Sequence, residues 1–351
     1  MESTTPSEHV QVLEPDPNES AVTMAIFEQL VGKWTRGPAN ILVLVLFGGL
    51  VCGGLSLTMG TVPVLLVVWL GLCVVGQVIR SLRYAGLAAY SRSRFTGLTL
   101  GPEDALAAKS RVSLRHTDGD TAGWLVTRLP RAERLQLAGQ RRIWVLGPGT
   151  DGRAFVMLPG TLRPRRARLR SRPVDGSAAL TPVSREPSPP HRDPVLRAHA
   201  DRVGVALVWN AVFLLAFAGA LSWSVLRSSA VEVLGPRVAV VPLCFAGLIV
   251  LGACWYLVLA VRLATWRPAE WTELRIVLDK PVQVVNGAVA RLAGRAVLPG
   301  GWTVGFRMRA DPSLAATIGE TGRLWVIGEP SGSTRVGVPG YPLVGIARFS
   351  G

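Results

Sequence analysis

Two kinds of hydrophobic pattern alternate along this chain. Asn40–Met59, Val62–Val78, Val203–Leu226 and Val238–Val261 are long apolar runs with no Asp, Glu, Lys or Arg. About 20 helical residues cross a hydrocarbon layer of roughly 30 Å, so each run is long enough to span a membrane. They predict two helical hairpins, 39–79 and 194–263. Between and after them the apolar residues fall into short stretches with β-branched and aromatic side chains, bounded by Gly, Pro and Asp, which is the pattern of strands. Strands are predicted at Trp124–Arg128, Arg142–Leu146, Arg153–Leu158, Glu273–Leu278, Trp302–Arg307, Leu324–Ile327, Thr334–Val338 and Leu343–Phe349.

The second half echoes the first. Arg142-Ile143-Trp144-Val145-Leu146-Gly147 returns as Arg323-Leu324-Trp325-Val326-Ile327-Gly328. In the same way Trp124 pairs with Trp302, and these tryptophans are expected in the cores of two related modules. The expected class is an integral membrane α-helical protein, with four transmembrane helices as two parallel-repeat hairpins plus two small β-rich modules. The boundaries are a disordered acidic start (1–15), an amphipathic helix (16–38), hairpin 1 (39–79), β-rich module 1 (80–170), a Pro/Arg-rich linker (171–193), hairpin 2 (194–263) and β-rich module 2 (264–351). Small modules bury little of their surface alone, so packing of the two on each other would bury more. The 16–38 helix has two placements, in the membrane interface or on a folded module. Asp16-Pro17 reads as an N-cap followed by a first helical residue, and Asp193-Pro194 restarts a helix that runs into the third apolar run.

Charge then adds an orientation. The chain carries 38 basic and 23 acidic residues, with 35 Arg against 3 Lys. Lys33, Arg36, Arg80, Arg83, Arg202, Arg262 and Arg267 flank one side of the predicted spans, against Arg227 and Arg237 on the other. Basic flanks favour the cytoplasm, so the expectation is a multi-pass protein of the inner (plasma) membrane with both termini cytoplasmic. The arginine bias suggests a GC-rich bacterial genome. The first residues are acidic and do not form an export signal.

Candidate chemistry is sparse. Cys52, Cys73, Cys244 and Cys254 lie within apolar runs and fit neither a disulfide framework nor a metal site. Gly147-Pro148-Gly149-Thr150-Asp151-Gly152 matches a dinucleotide fingerprint in letters, but a strand rather than a helix is predicted after it, so it reads as a hairpin turn. Thr117-Asp118-Gly119-Asp120 lacks the remaining ligands of a calcium loop. The densest charge cluster is Arg163, Arg165, Arg166, Arg168, Arg170 and Arg172. It suits anionic lipid headgroups, at about 1 kcal/mol of attraction per residue, or is a solvated linker. Nucleic acid is disfavoured, because no aromatic residues interleave the arginines. Asn210 is a polar residue deep in a predicted span and suits an intramembrane hydrogen bond. Gly49-x-x-x-Gly53 and Ala216-x-x-x-Ala220 carry small-residue helix-contact spacing. No nucleophile–base pair, zinc spacing or phosphate loop appears, so no cofactor and no enzymatic activity are expected. The expected function is binding, as a scaffold, sensor or accessory protein with membrane lipids and an unidentified protein as partners. The alternative is an oligomeric small transporter or channel lined by Asn210, Ser56, Ser222 and Gln77.

Overall fold

The computed structural model describes residues 26–30, 94–118, 121–183, 188–226, 237–265, 269–286 and 289–350. The first module runs β1 (Thr96–Thr99), β2 (Ala105–Ala108), β3 (Arg111–Asp118), β4 (Thr121–Arg128), α1 (Arg131–Gln140), β5 (Arg142–Leu146), β6 (Arg153–Met157), β7 (Arg165–Arg170) and β8 (Ala178–Ala179). Helices α2 (Pro194–Leu226) and α3 (Arg237–Ala264) follow. The second module runs β9 (Trp271–Leu278), β10 (Gln283–Asn286), β11 (Val289–Val297), β12 (Thr303–Ala310), α4 (Pro312–Thr321), β13 (Arg323–Ile327), β14 (Ser333–Gly337) and β15 (Val344–Ser350). The chain divides into two compact units. One contains both β modules and the helical residues 26–30, and the other contains α2 beyond His199 and α3.

The expected class needs correction. The chain is β-rich, with an eight-stranded and a seven-stranded antiparallel sheet as its main bodies. Among the described residues two helices, not four, are long and apolar enough to cross a membrane. Hairpin 1 (39–79), with Cys52, Cys73, Ser56, Gln77 and the Gly49/Gly53 pair, lies outside the described residues. Hydropathy overweights long apolar runs. Short strands that alternate arginine with one apolar residue add almost nothing to it, so the sheets are under-read.

The two sheets share one topology. The first has the order β1-β5-β6-β7-β4-β3-β2-β8 and the second β10-β11-β12-β15-β14-β13-β9. Reading β1 as β9, β2 as β10 and so on through β7 as β15, neighbour matches neighbour, and a helix connects the fourth and fifth strands in both. All the predicted strands are present, although Trp302 is not the counterpart of Trp124. It sits before β12 and is 78% exposed, and the residue aligned with Trp124 is Gly305, because both stand opposite the matching arginines Arg115 and Arg295. Trp144 is buried, while Trp124 and Trp325 are half-buried.

The modules differ at one seam. In the second, β9 pairs with β13 on one edge and β11 on the other, so β9, β13, β14, β15, β12 and β11 form a closed ring. Its inward residues, among them Leu274, Leu292, Phe306, Met308, Leu324, Val326 and Val336, form the core. Full burial of a side chain such as Phe306 contributes roughly 1.5–3 kcal/mol. Closure depends on Gly294. It lies opposite Leu278 of β9 and Phe306 of β12, and a Cβ there would stand 2.3 Å from the Val277 carbonyl oxygen and 3.0 Å from Leu278 Cα. The matching residue of the first module is Leu114, which is fully buried opposite Leu125 and Ala105. There β1 is four residues long and, among the described residues, pairs only with β5, so no ring closes in the first sheet.

Capping separates the two connecting helices. The side chain of Asp311 caps α4 by accepting from Ser313 N at 2.9 Å, Pro312 is the first helical residue, and Gly322 ends the helix at φ +61°. Helix α1 has no side-chain cap and ends on Arg141 at φ +52°. A left-handed backbone suits glycine.

Two substitutions test these readings. G294A should lower the stability of the full chain by about 2–3 kcal/mol, because the methyl would meet the β9 backbone and the buried Phe306 ring. R141G should raise it by about 1 kcal/mol by removing the left-handed strain. Thermal denaturation of the purified protein in detergent should move its midpoint in opposite directions for the two.

Candidate functional site

The predicted arginine cluster is not a linker. Residues 165–170 form β7, hydrogen-bonded between β6 and β4. Ala167 faces the core and is buried, while Arg166, Arg168 and Arg170 alternate outward and are exposed. Arg165 is held by Glu133 of α1 in a two-point ion pair, with Nε to Oε2 at 3.0 Å. Arg163 pairs with Asp311 of the second module. Arg172 lies exposed just beyond the strand. The structure therefore separates the six into a structural pair, Arg163 and Arg165, and an outward set.

The outward set belongs to a larger basic face that both modules carry. On the first, Arg111 of β3 stands directly opposite Arg128 of β4, and Arg168 stands opposite Val126. On the second, Arg291 of β11 stands opposite Arg309 of β12, and Arg307 opposite Arg348 of β15. Arg111, Arg115, Arg128 and Arg168 match Arg291, Arg295, Arg309 and Arg348 position for position. Arg115 and Arg295 each have an aspartate near, Asp104 at 3.7 Å and Asp279 at 4.0 Å. The other six have no ion-pair partner among the described residues. Sequence reading found the densest run of arginines but missed this pattern. The signal was present as Arg-x-x-x-Arg in both copies, at 111–115 and 291–295.

The modules meet through equivalent turns. Leu158-Pro159-Gly160-Thr161 and Val338-Pro339-Gly340-Tyr341 each close with a hydrogen bond from the fourth residue to the first, at 3.0 and 3.1 Å. Both glycines have positive φ, +69° and +77°. The Tyr341 ring lies so close over Gly160 that a Cβ would be 2.8 Å from it. Leu162 N donates to Ser313 Oγ at 2.9 Å, with both residues buried. Asp193 joins this contact. One carboxylate oxygen accepts from Val195 N and Leu196 N at 2.9 and 3.2 Å, capping α2 at the point where the sequence predicted a helix to restart. The other accepts from Gly340 N at 2.9 Å. Burial pushes the Asp193 carboxyl above its ordinary range, and the three backbone donors only partly offset this.

The remaining sequence candidates are placed as follows. Asn210 is exposed on α2. Ala216 and Ala220 are also exposed; among the described residues the buried alanines are Ala198, Ala200, Ala211 and Ala218 on α2, and Ala246, Ala253 and Ala260 on α3. Gly147–Gly152 is the hairpin between β5 and β6, with no helix after it. Gly119 and Asp120 lie outside the described residues. Ile26 and Leu30 are almost fully buried, Phe27 packs edge-on against Phe95 at 5.7 Å, and Gln29 accepts from Val284 N at 3.4 Å. His116, on the inward face of β3, is buried with neither ring nitrogen hydrogen-bonded among the described residues. No group of three or more potential metal ligands occurs among the described residues. No family model, curated protein or solved structure matches this chain.

A pH test isolates Asp193. A carboxyl whose folded pKa is raised contributes stability that grows as pH falls through that pKa and is flat above it. The stability difference between the native chain and D193N should therefore shift toward the native chain as pH falls from 7 to about 4. Parallel thermal melts across that range measure it, and a difference that does not change with pH would remove the burial argument.

Proposed function

We propose that this is a membrane-anchored binding protein, held by α2 and α3, that presents two related β modules in the cytoplasm as a scaffold or sensor. One observation carries the reading. The apolar windows of α2 and α3 are only 11% and 17% buried, and Trp209, Leu248, Leu251, Trp255 and Val261 are each at least 60% exposed. An apolar surface of that extent on a long helix is stable in lipid and costly in water. Both sheets, by contrast, have well-buried cores and charged outer faces, as water-facing domains do. The basic residues at the module-side ends of the helices, Arg197, Arg202 and Arg262, support a cytoplasmic position for the modules.

A transporter or channel has less support. Asn210 and Ser222, the proposed lining residues within α2, are twelve positions apart, which places them about 120° apart around a helix. They do not form one polar stripe.

The test is fractionation with topology reporters. The full chain should stay with membranes through high-pH carbonate. Reporters at residue 180 and at the carboxyl end should both register the cytoplasm. Release by carbonate, or reporters on opposite sides, would reject the reading.

A further inference from the structure

We propose that the second module carries a binding site for a phosphate group attached to an apolar body, built on Arg291 and Arg309. This deepens the binding reading above and rests on it only for the ligand's biological source. The two arginines face each other across β11 and β12 on the outer side of the ring. One register step away, Arg307 faces Arg348. All four are exposed, and none has an ion-pair partner among the described residues. Like charges directly opposite each other destabilise an antiparallel pair. A fold under selection for stability alone would not keep them, yet the first module repeats the arrangement as Arg111 opposite Arg128. Neighbouring positions have changed freely between the copies: Leu114 matches Gly294, Trp124 matches Gly305 and His116 matches Ala296. Arginines that recur against their own repulsion point to an anion that neutralises them.

The second module adds a cavity. A depression of about 360 Å³ opens beside Arg291 and Arg309, within the size range of small-molecule sites. Its other walls are Val285, Val289, Ala310 and Val344. The acid at its edge, Asp311, is directed to Arg163 and to the backbone of Ser313, so it does not neutralise the arginine pair. Two planar guanidinium groups suit the oxygens of a phosphate, each able to bind two of them. The valine walls suit a hydrocarbon portion. Either a phospholipid headgroup or a soluble phosphate ester offers this chemistry.

The experiment is calorimetric titration of the full chain in detergent with dioctanoyl phosphatidic acid, dioctanoyl phosphatidylcholine and inorganic phosphate. Phosphatidic acid should bind saturably, and R291Q/R309Q should weaken it by about tenfold or more. The same double substitution should leave the melting midpoint unchanged or raise it, since it removes a repulsion, whereas loss of a structural contact would lower it. R111Q/R128Q, at the matching pair of the first module, should leave the affinity within about twofold of the native chain. Saturable binding of inorganic phosphate by itself, displacing the lipid, would show that the phosphate group suffices and favour a soluble ester, whereas binding of phosphatidic acid but not of inorganic phosphate would show that the acyl chains are needed and favour the lipid. If R291Q/R309Q does not fold, R309Q alone makes the test. Equal binding of phosphatidylcholine, no binding of phosphatidic acid, or undiminished affinity in the folded variant would overturn the proposal. Membrane release by carbonate, measured separately, would reject the anchor and leave this site standing.

Discussion

The structure depends on how each sheet disposes of its edges. A strand exposes a row of donors and acceptors along any unpaired side, and leaving that row open invites pairing with another chain. The second module removes the problem by returning β9 to β11, and a single residue without a side chain, Gly294, gives the two backbones room to meet. The first module has a leucine at the matching place and a first strand too short to reach across. It extends its far edge with β8, which pairs with β2. The segment before β8 also folds over the outer face of β3, where Val174 N donates to Ser113 Oγ at 3.1 Å. One duplicated plan therefore has two solutions, and the difference follows from local residue size and strand length.

The contact between the modules uses the same economy of means. Corresponding Pro-Gly turns face each other, and the buried carboxylate of Asp193 links the start of α2 to one of them. The two turns diverged at their last residue, Thr161 against Tyr341, so the contact is only approximately symmetric. The tyrosine ring now occupies the space above a glycine where any side chain would collide. Arg163 and Asp311 complete this region from opposite modules.

Much of the strand content was legible in the sequence, because β-branched and aromatic residues between Gly and Pro state the period directly. What was missed has specific causes. Strand β7 reads Arg165-Arg166-Ala167-Arg168-Leu169-Arg170, with only alanine and leucine to mark its inward face, so its charge concealed its alternation. Strands β3 and β11 are obscured in the same way by arginines at their outward positions. Helix α1 has no cap and a weakly apolar face, and it is held by tertiary contacts such as the Gln136 side-chain donation to the Pro159 carbonyl at 2.7 Å. Helix α4 could have been found: Asp311-Pro312 with Gly322 beyond is the signal that correctly located α2 at Asp193-Pro194. The basic faces were not legible as faces, since cross-strand neighbours such as Arg291 and Arg309 are brought together only by register.

The strand order also governs how the chain can assemble as it leaves the ribosome. In the first module the opening strand finds its partner only after the connecting helix has been made, since β1 waits for β5, whereas β9 can pair with β11 before that helix and waits for β13 on its other edge. Neighbouring hairpins, β3 with β4 and β11 with β12, can form early from local contacts, while the long-range pairings β4–β7 and β12–β15 come last in each module. The first sheet is fully synthesised before α2 emerges. The second ring is completed only when β15 joins β12 to β14, and the two Pro-Gly turns can meet only after both modules have been made.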